Sequence, residues 1–148
     1  MLGRRLHDPD GIEGPAGSVD GLGHLDVETV LTPDKSLERV EALHGATGKA
    51  MAGYEMHIGR TEGPDCTRPF ASIAGAAEGA IAQDGRVEGT YLHGLFASDP
   101  FRAAYLSALG ASSGGSNYLA SVESTLDALA DHLERHVDLD LMLKIAGR

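Results

Sequence analysis

The sequence predicts an α/β domain that spans residues 1–148, and three observations carry this prediction. Short segments with period-two apolar alternation are typical of half-buried strands. Turn signals such as Asp84-Gly85 separate several of these segments and indicate β-hairpins. The clearest segments with 3.6-residue apolar spacing lie in the last third of the chain, after the strands. With 42% hydrophobic residues the chain can bury a core of its own, and its length fits one domain.

The N-terminal region is predicted to be a long loop followed by a strand. Residues 7–24 are rich in glycine and contain two prolines, a composition that neither a helix nor a strand interior tolerates. LDVETVL at 25–31 then alternates as a strand with one buried face. Thr32-Pro33-Asp34 is expected to end this strand.

A hairpin is predicted in the middle of the chain. SLERVEALH at 36–44 fits a short helix or a strand, because its periodicity alone does not decide between them. GATG at 45–48 has turn chemistry, and the next residues alternate through Tyr54, Met56 and Ile58. We therefore favour two strands joined by this turn.

Shorter strands are predicted at Pro69–Ile73 and Glu78–Gln83. Asp84-Gly85 then forms a hairpin turn into RVEGTYLH at 86–93. Within that last strand we expect Val87, Tyr91 and His93 to share one face.

Two helices are predicted after the strands. Asp99-Pro100 gives an N-cap and a proline at the first helical position, and the helix should end at Gly110. An ASSGGS linker at 111–116 follows. The terminal amphipathic helix has an apolar stripe at 3.6-residue spacing, formed by Val122, Leu126, Leu129, Leu133 and Val137.

The charge and cysteine content exclude several classes of function. A net charge of -10 argues against a nucleic-acid groove or an anionic membrane surface, since both need a basic patch. No apolar stretch approaches the roughly 20 residues of a membrane span, and the N-terminus lacks the apolar segment of a signal peptide. The single cysteine cannot form an internal disulfide. We expect a cytoplasmic protein.

His93 is the candidate catalytic residue. It ends the last predicted strand in GTYLHGLF at 89–96, and the carboxyl ends of strands are where α/β proteins gather catalytic groups. A surface histidine at a strand end is the commoner alternative when position alone is considered.

Other polar residues are weaker candidates for a functional site. Cys66 lies in EGPDCTRP without a strand-to-helix turn, and Asp65 beside it should raise the thiol pKa, so we expect an inert cysteine. His132 and His136 have zinc-like spacing, but no third ligand recurs with them. GIEGPAG lacks the lysine and the strand-helix context of a phosphate-binding loop. We therefore expect no metal or nucleotide site in this chain.

Three segments together carry a family resemblance. They are HDPDGIEGPAGSVDGLGHLDVETVLTPDK at 7–35, GYEMHIGRTEGPD at 53–65 and GTYLHGLF at 89–96. In order and spacing they resemble the cobyric acid synthase and cobyrinate diamide synthase branch of class I glutamine amidotransferases. The first two favour cobyric acid synthase, and the resemblance covers nearly the whole chain.

The resemblance implies both a fold and a reaction. The fold is a class I glutamine amidotransferase-like, flavodoxin-like open sheet, here expected without its N-terminal strands and without the cysteine elbow, which the family has immediately before the residues that match Met1. His93 would be the general base that activates this cysteine. The domain would release ammonia from glutamine for ATP-dependent amidation of corrin-ring carboxylates. The ATP, magnesium and corrinoid sites would lie in a separate upstream domain.

The resemblance leaves several alternatives open. The wider class I enzymes have a glutamate two residues after the histidine, where this chain has Leu95. Glu55, a carboxylate of a partner domain, or a backbone carbonyl or water could orient His93 instead. Glu55 and His57 could equally support the site or face solvent. Rival functions are a cobyrinate a,c-diamide synthase, a related amidotransferase subunit, and a non-catalytic module that binds a synthetase chain.

Overall fold

The computed structural model describes residues 1–112, 114–115 and 117–147. These residues form two compact units, Met1–Ser113 and Gly114–Arg148. Two serines of the predicted linker, Ser113 and Ser116, lie outside the described residues. A single domain over residues 1–148 stays a prediction.

The first unit is built on an open mixed sheet. The described strands are Arg5–Asp8 (β1), Gly17–Asp20 (β2), Glu28–His44 (β3), Ala50–Glu62 (β4), Ala71–Ile73 (β5), Ala76–Glu78 (β6), Ala80–Ile81 (β7), Glu88–Gly89 (β8) and Leu92–His93 (β9). Seven of them form the sheet, in which the path β2-β1-β3-β4-β9 is joined by β5, paired with β3, and by β6, paired with β5; β7 and β8 form a separate two-stranded sheet. β1 runs parallel to β3, and the other pairs are antiparallel. Together with the helices, this sheet confirms the predicted α/β class.

The prediction of a long loop over the glycine-rich segment 7–24 is only partly right. β2 and the end of β1 lie within this segment. Leu6 faces Val19 and His7 faces Ser18 in an antiparallel register. The Asp8 carboxylate accepts the backbone N–H groups of Ile12 and Glu13 at 2.7 and 3.0 Å, which closes the turn between the two strands.

The prediction that Thr32-Pro33-Asp34 ends a strand is wrong. β3 continues through these residues to His44, because the register with β4 shifts between Val30 and Lys35. On β4 only Gly59, at a φ of 93°, lies between the residues that pair with Val30 and Lys35. The bulge places Pro33 where the ladder requires no N–H donor.

The hairpin across GATG is confirmed, and SLERVEALH is a strand. β3 and β4 pair antiparallel from Lys35↔Ile58 to Leu43↔Ala50. The buried face of this ladder carries Ala42 and Met51, while the opposite face is largely exposed.

The predicted strands 78–83 and 86–93 are each divided. Gly79, with a φ of 74°, separates β6 from β7. Residues 86–93 contribute β8 to the two-stranded sheet and β9 to the main sheet. The strand predicted to carry Val87, Tyr91 and His93 on one face is therefore not continuous.

The helices include one that the sequence did not predict. α1 spans Asp99–Ala108, and its N-cap is Ser98 instead of the predicted Asp99. The Ser98 hydroxyl donates to the Ala50 carbonyl at 3.1 Å, which ties the start of α1 to β4. The second unit contains the predicted helix as α2, Tyr118–His136, and a further helix α3, Leu139–Ile145. No helix in the described ranges is long and apolar enough to cross a membrane.

The main core lies between α1 and the β3–β4 sheet. Phe101 of α1 is fully buried against residues from several strands. The buried members of this cluster are Ala42, Met51, Phe70, Ala71, Leu92, Leu95 and Phe101. The residues immediately before and after His93-Gly94 therefore belong to the core, and this fixes the position of the candidate site.

Candidate active site around His93

His93 ends β9 and is exposed between two buried anchors. Leu92 and Leu95, on either side of it in the sequence, are only 4% and 8% exposed. Gly94 follows with a φ of 78°, a left-handed conformation that glycine adopts without a steric penalty. Burial of the two leucines thus holds the His93 side chain at the surface.

One nitrogen of the His93 imidazole has a backbone partner. Nδ1 lies 3.0 Å from the carbonyl oxygen of Tyr91. A carbonyl oxygen can only accept, so Nδ1 must carry the proton in this hydrogen bond. Neutral His93 therefore has an unprotonated Nε2, which is the nitrogen that can take a proton from another group.

This contact distinguishes between the orienting groups that the sequence left open. In the β4–β9 register, His93 faces Tyr54 and Leu92 faces Glu55. Residues directly opposite each other share a face of the sheet, so Glu55 lies on the other face from His93. Leu95, at the position of the class I glutamate, belongs to the core. Among the described residues, the group bound to the ring is a backbone carbonyl.

Tyr91 is held in place by its side chain. Its hydroxyl lies 2.6 Å from the Thr61 hydroxyl, which in turn lies 2.7 Å from that of Thr29. The ring also packs on His57 with 5.2 Å between the ring centroids. His57 therefore contacts the residue whose carbonyl binds His93. A supporting role for His57 and Glu55 stays a prediction.

A buried carboxylate holds the segment before His93. Glu78 is 7% exposed, and its two oxygens accept the Thr90 hydroxyl at 2.8 Å and the Tyr91 N–H at 2.7 Å. Burial raises the pKa of Glu78, and these two hydrogen bonds act in the opposite direction. Glu78 appears in the sequence only as a polar residue of a short strand, so no local pattern marks it.

Gly53 allows β4 to approach the backbone of His93 closely. A Cβ atom on Gly53 would lie 2.4 Å from the His93 carbonyl oxygen, which is far inside van der Waals contact. Gly53 is the first residue of the GYEMHIGRTEGPD motif. At this position the motif has a steric function, because only glycine admits the observed spacing of the two strands.

The two faces of the sheet differ in character around the site. The face that carries His93 also presents the apolar side chains Leu37, Leu43, Tyr54 and Met56, which are between 37% and 61% exposed. An open cleft of about 1550 Å³ is lined by apolar and polar residues together, including Leu25, Glu55, His57 and Tyr91, and His93 is not in its lining. The same face carries the exposed charged residues Arg39 and Glu41, so His93 lies on an open surface of mixed character and not in the lining of this cleft.

Cys66 has the environment of an unreactive thiol. It lies in a short 3₁₀ helix, Pro64–Thr67. Burial is the largest cause that raises the pKa of Cys66, and the charges of Asp65 and Glu62 raise it further. The predicted effect of Asp65 is confirmed, and a raised pKa depletes the reactive thiolate.

The described residues offer little to a metal or a phosphate group. They contain no group of three His, Cys, Asp or Glu side chains placed to hold a metal ion. The rings of His132 and His136 on α2 contact each other in a tilted arrangement, with 4.5 Å between the ring centroids. In the GIEGPAG loop, the Asp8 carboxylate already accepts the N–H groups of Ile12 and Glu13, so these amides do not point at an open anion site.

Comparison with known proteins supports the resemblance drawn from the sequence. The chain is 60% identical over 146 residues to a cobyric acid synthase of Rhodobacter capsulatus, a match that covers 99% of this chain and 30% of the relative. It is 58% identical to a cobyric acid synthase of Bradyrhizobium diazoefficiens over 146 residues, again 99% of this chain and 30% of the relative. A third cobyric acid synthase, from Methylobacterium nodulans, is 54% identical over 148 residues, with the same 99% and 30% coverage.

The chain therefore spans about 30% of the length of the curated relatives that it matches. The family model for the CobB/CobQ-like glutamine amidotransferase domain matches residues 1–101, which include Gly53, Glu78, Tyr91 and His93. These residues are thus contained in the matched domain. On this evidence, the chain belongs to the CobB/CobQ-like glutamine amidotransferase domain family.

Proposed function

We propose that this chain is the glutaminase part of a cobyric acid synthase and that His93 is its general base. The observation that carries the proposal is the hydrogen bond from His93 Nδ1 to the Tyr91 carbonyl at 3.0 Å. It leaves Nε2 as the proton acceptor on an exposed side chain at the end of a strand. The high identity to cobyric acid synthases supports the choice of enzyme.

The reaction that fits this geometry is acyl transfer from the glutamine carboxamide. The resemblance implies a nucleophilic cysteine in the sequence that precedes residues matching this chain. His93 Nε2 takes the thiol proton, and the thiolate attacks the carboxamide carbon. The same proton then passes to the leaving nitrogen, so that ammonia departs and a thioester remains. Water, activated by the same nitrogen, hydrolyses the thioester to glutamate and restores the thiol.

The remainder of the enzyme would use the ammonia. The relatives are more than three times as long as this chain, and we propose that their additional sequence contains the ATP, magnesium and corrinoid sites. There, ATP would activate peripheral carboxylates of the corrin ring, and ammonia would displace the activated oxygen to form amides. We propose a cytoplasmic location for this enzyme.

A chimera tests the proposal. Residues of this chain replace the aligned 146 residues of the Rhodobacter capsulatus enzyme, and ammonia release from glutamine is measured. His93→Ala should lower this activity by about 10²- to 10⁴-fold, the range for loss of a general base. His132→Ala, which removes an exposed histidine of α2, serves as the matched control and should leave the rate unchanged. An active His93→Ala chimera would contradict the assignment.

A further inference from the structure

We propose that Glu78 is the positioning carboxylate of the site, acting on His93 through the backbone at Thr90–Leu92. The inference rests on the proposed function, since positioning matters only if His93 is the base. In the wider class I pattern an acid lies two residues after the histidine. Here that position is the core residue Leu95, and an acid from β6 would provide the same control indirectly.

Glu78 contacts the segment before His93 through both of its carboxylate oxygens. Oε1 of Glu78 accepts the Tyr91 N–H at 2.7 Å, and Oε2 accepts the Thr90 hydroxyl at 2.8 Å. Because Glu78 is 7% exposed, water competes little for these bonds. One carboxylate thus fixes two consecutive residues that have little regular secondary structure of their own.

Thr90 links the Glu78 carboxylate to the carbonyl that binds His93. The Thr90 oxygen, whose proton goes to Glu78, accepts the Leu92 N–H at 3.0 Å. The Leu92 N–H and the Tyr91 carbonyl belong to the same planar peptide unit, so fixing one sets the direction of the other. That carbonyl accepts His93 Nδ1 at 3.0 Å and also the Met56 N–H of β4 at 3.1 Å. Glu78 and β4 therefore hold the carbonyl from two sides.

The direction of the Tyr91 carbonyl has a chemical consequence for His93. The hydrogen bonds of the two ring nitrogens determine which of them carries the proton of a neutral imidazole, and a nitrogen that faces a carbonyl oxygen is the protonated one. A correctly directed Tyr91 carbonyl selects the Nδ1–H form and leaves Nε2 free. Loss of the Glu78 contacts should misdirect this carbonyl and return His93 toward a mixture of the two forms.

The tautomer of His93 can be read directly in the 148-residue chain. Long-range proton–nitrogen NMR spectra of the ¹⁵N-labelled chain distinguish Nδ1–H from Nε2–H, and the His93→Ala spectrum assigns the signal. The spectra are recorded at about pH 8, where an ordinary imidazole is neutral. In Glu78→Ala the ratio of the Nδ1–H to the Nε2–H form should fall about fivefold, the factor that corresponds to one hydrogen bond of about 1 kcal/mol.

Conservative variants separate positioning from folding. Thr90→Val keeps the side-chain shape but removes the hydroxyl, so it should lower the ratio in the same direction as Glu78→Ala. Thr90→Ser keeps the hydroxyl and should preserve the wild-type ratio. Asp8→Asn is the matched control, because Asp8 also holds a loop through two backbone N–H groups but lies on β1, which does not pair with β9.

The outcomes distinguish the positioning role from the catalytic one. If Glu78→Ala does not fold, Thr90→Val decides the matter in its place. An unchanged ratio in folded Glu78→Ala or Thr90→Val, or an equal fall in Asp8→Asn, would refute the role of Glu78 without bearing on catalysis by His93. An active His93→Ala chimera would refute the proposed function, whereas the tautomer measurement on the isolated chain would stand unaffected.

Discussion

The substitution Gly53→Ala tests how strictly the β4 strand positions His93. The added Cβ atom would lie 2.4 Å from the His93 carbonyl oxygen, whereas ordinary contact begins at 3.4 Å, so one backbone must move by about 1 Å. The atom that it meets is backbone, and no flexible side chain can turn away. A displacement of this size at a catalytic group costs about 100-fold in rate, and overpacking costs about 1–3 kcal/mol in the free energy of unfolding.

Ammonia release from glutamine by the chimera measures the first effect, and urea unfolding of the 148-residue chain measures the second. Gly14→Ala is the matched control, because no atom lies within 4 Å of its added Cβ and its φ is outside the left-handed region. We expect this control to keep full activity and to unfold at a similar or slightly higher urea concentration. Equal activity of Gly53→Ala and Gly14→Ala would refute the steric role of Gly53.

Two further predictions concern His44 and Cys66. His44 is 1% exposed, and its Nε2 has no hydrogen-bond partner among the described residues, while burial lowers its pKa from 6.5. The stability that depends on neutral His44 is therefore present above about pH 6.5. It is lost as the pH falls toward the lowered pKa, by about 1.4 kcal/mol for each pH unit between 6.5 and the lowered pKa. Unfolding of wild type and His44→Phe across this range should show acid sensitivity that the variant lacks; parallel curves would contradict it. Cys66→Ala should leave ammonia release by the chimera within about twofold of wild type, because the raised pKa of Cys66 makes its thiol a poor nucleophile; a large loss would show that Cys66 takes part in the reaction.

Local signals were sufficient to predict the elements that position His93. The GATG turn predicted the β3–β4 hairpin, and the Asp99-Pro100 signal predicted α1 to within one residue. The position of His93 at the end of a strand was also predicted, whereas its catalytic role comes from the family resemblance and stays a prediction. For the hairpin and α1, the residues that determine the structure are close together in the sequence.

The remaining features depend on contacts between distant segments. Pro33 is a strand terminator by local chemistry, yet β3 passes through it because a bulge opposite Gly59 removes the need for its N–H. Glu78 holds Thr90 and Tyr91, which lie 12 and 13 positions further along the chain, and nothing in its own strand indicates those partners. The group that binds His93 is a backbone carbonyl, which every residue has. Sequence patterns therefore could not distinguish it from the other possible orienting groups.

In the proposed enzyme, His93 is the base of a glutaminase site that supplies ammonia to a separate amidation site. This role is tested by the ratio of glutamine-supported to ammonia-supported amidation in the chimera, compared between wild type and His93→Ala. We expect His93→Ala to lose glutamine-supported amidation while ammonia-supported amidation persists at the wild-type rate. Equal loss of both activities would show that His93 serves folding, and retention of both would show that another group is the base.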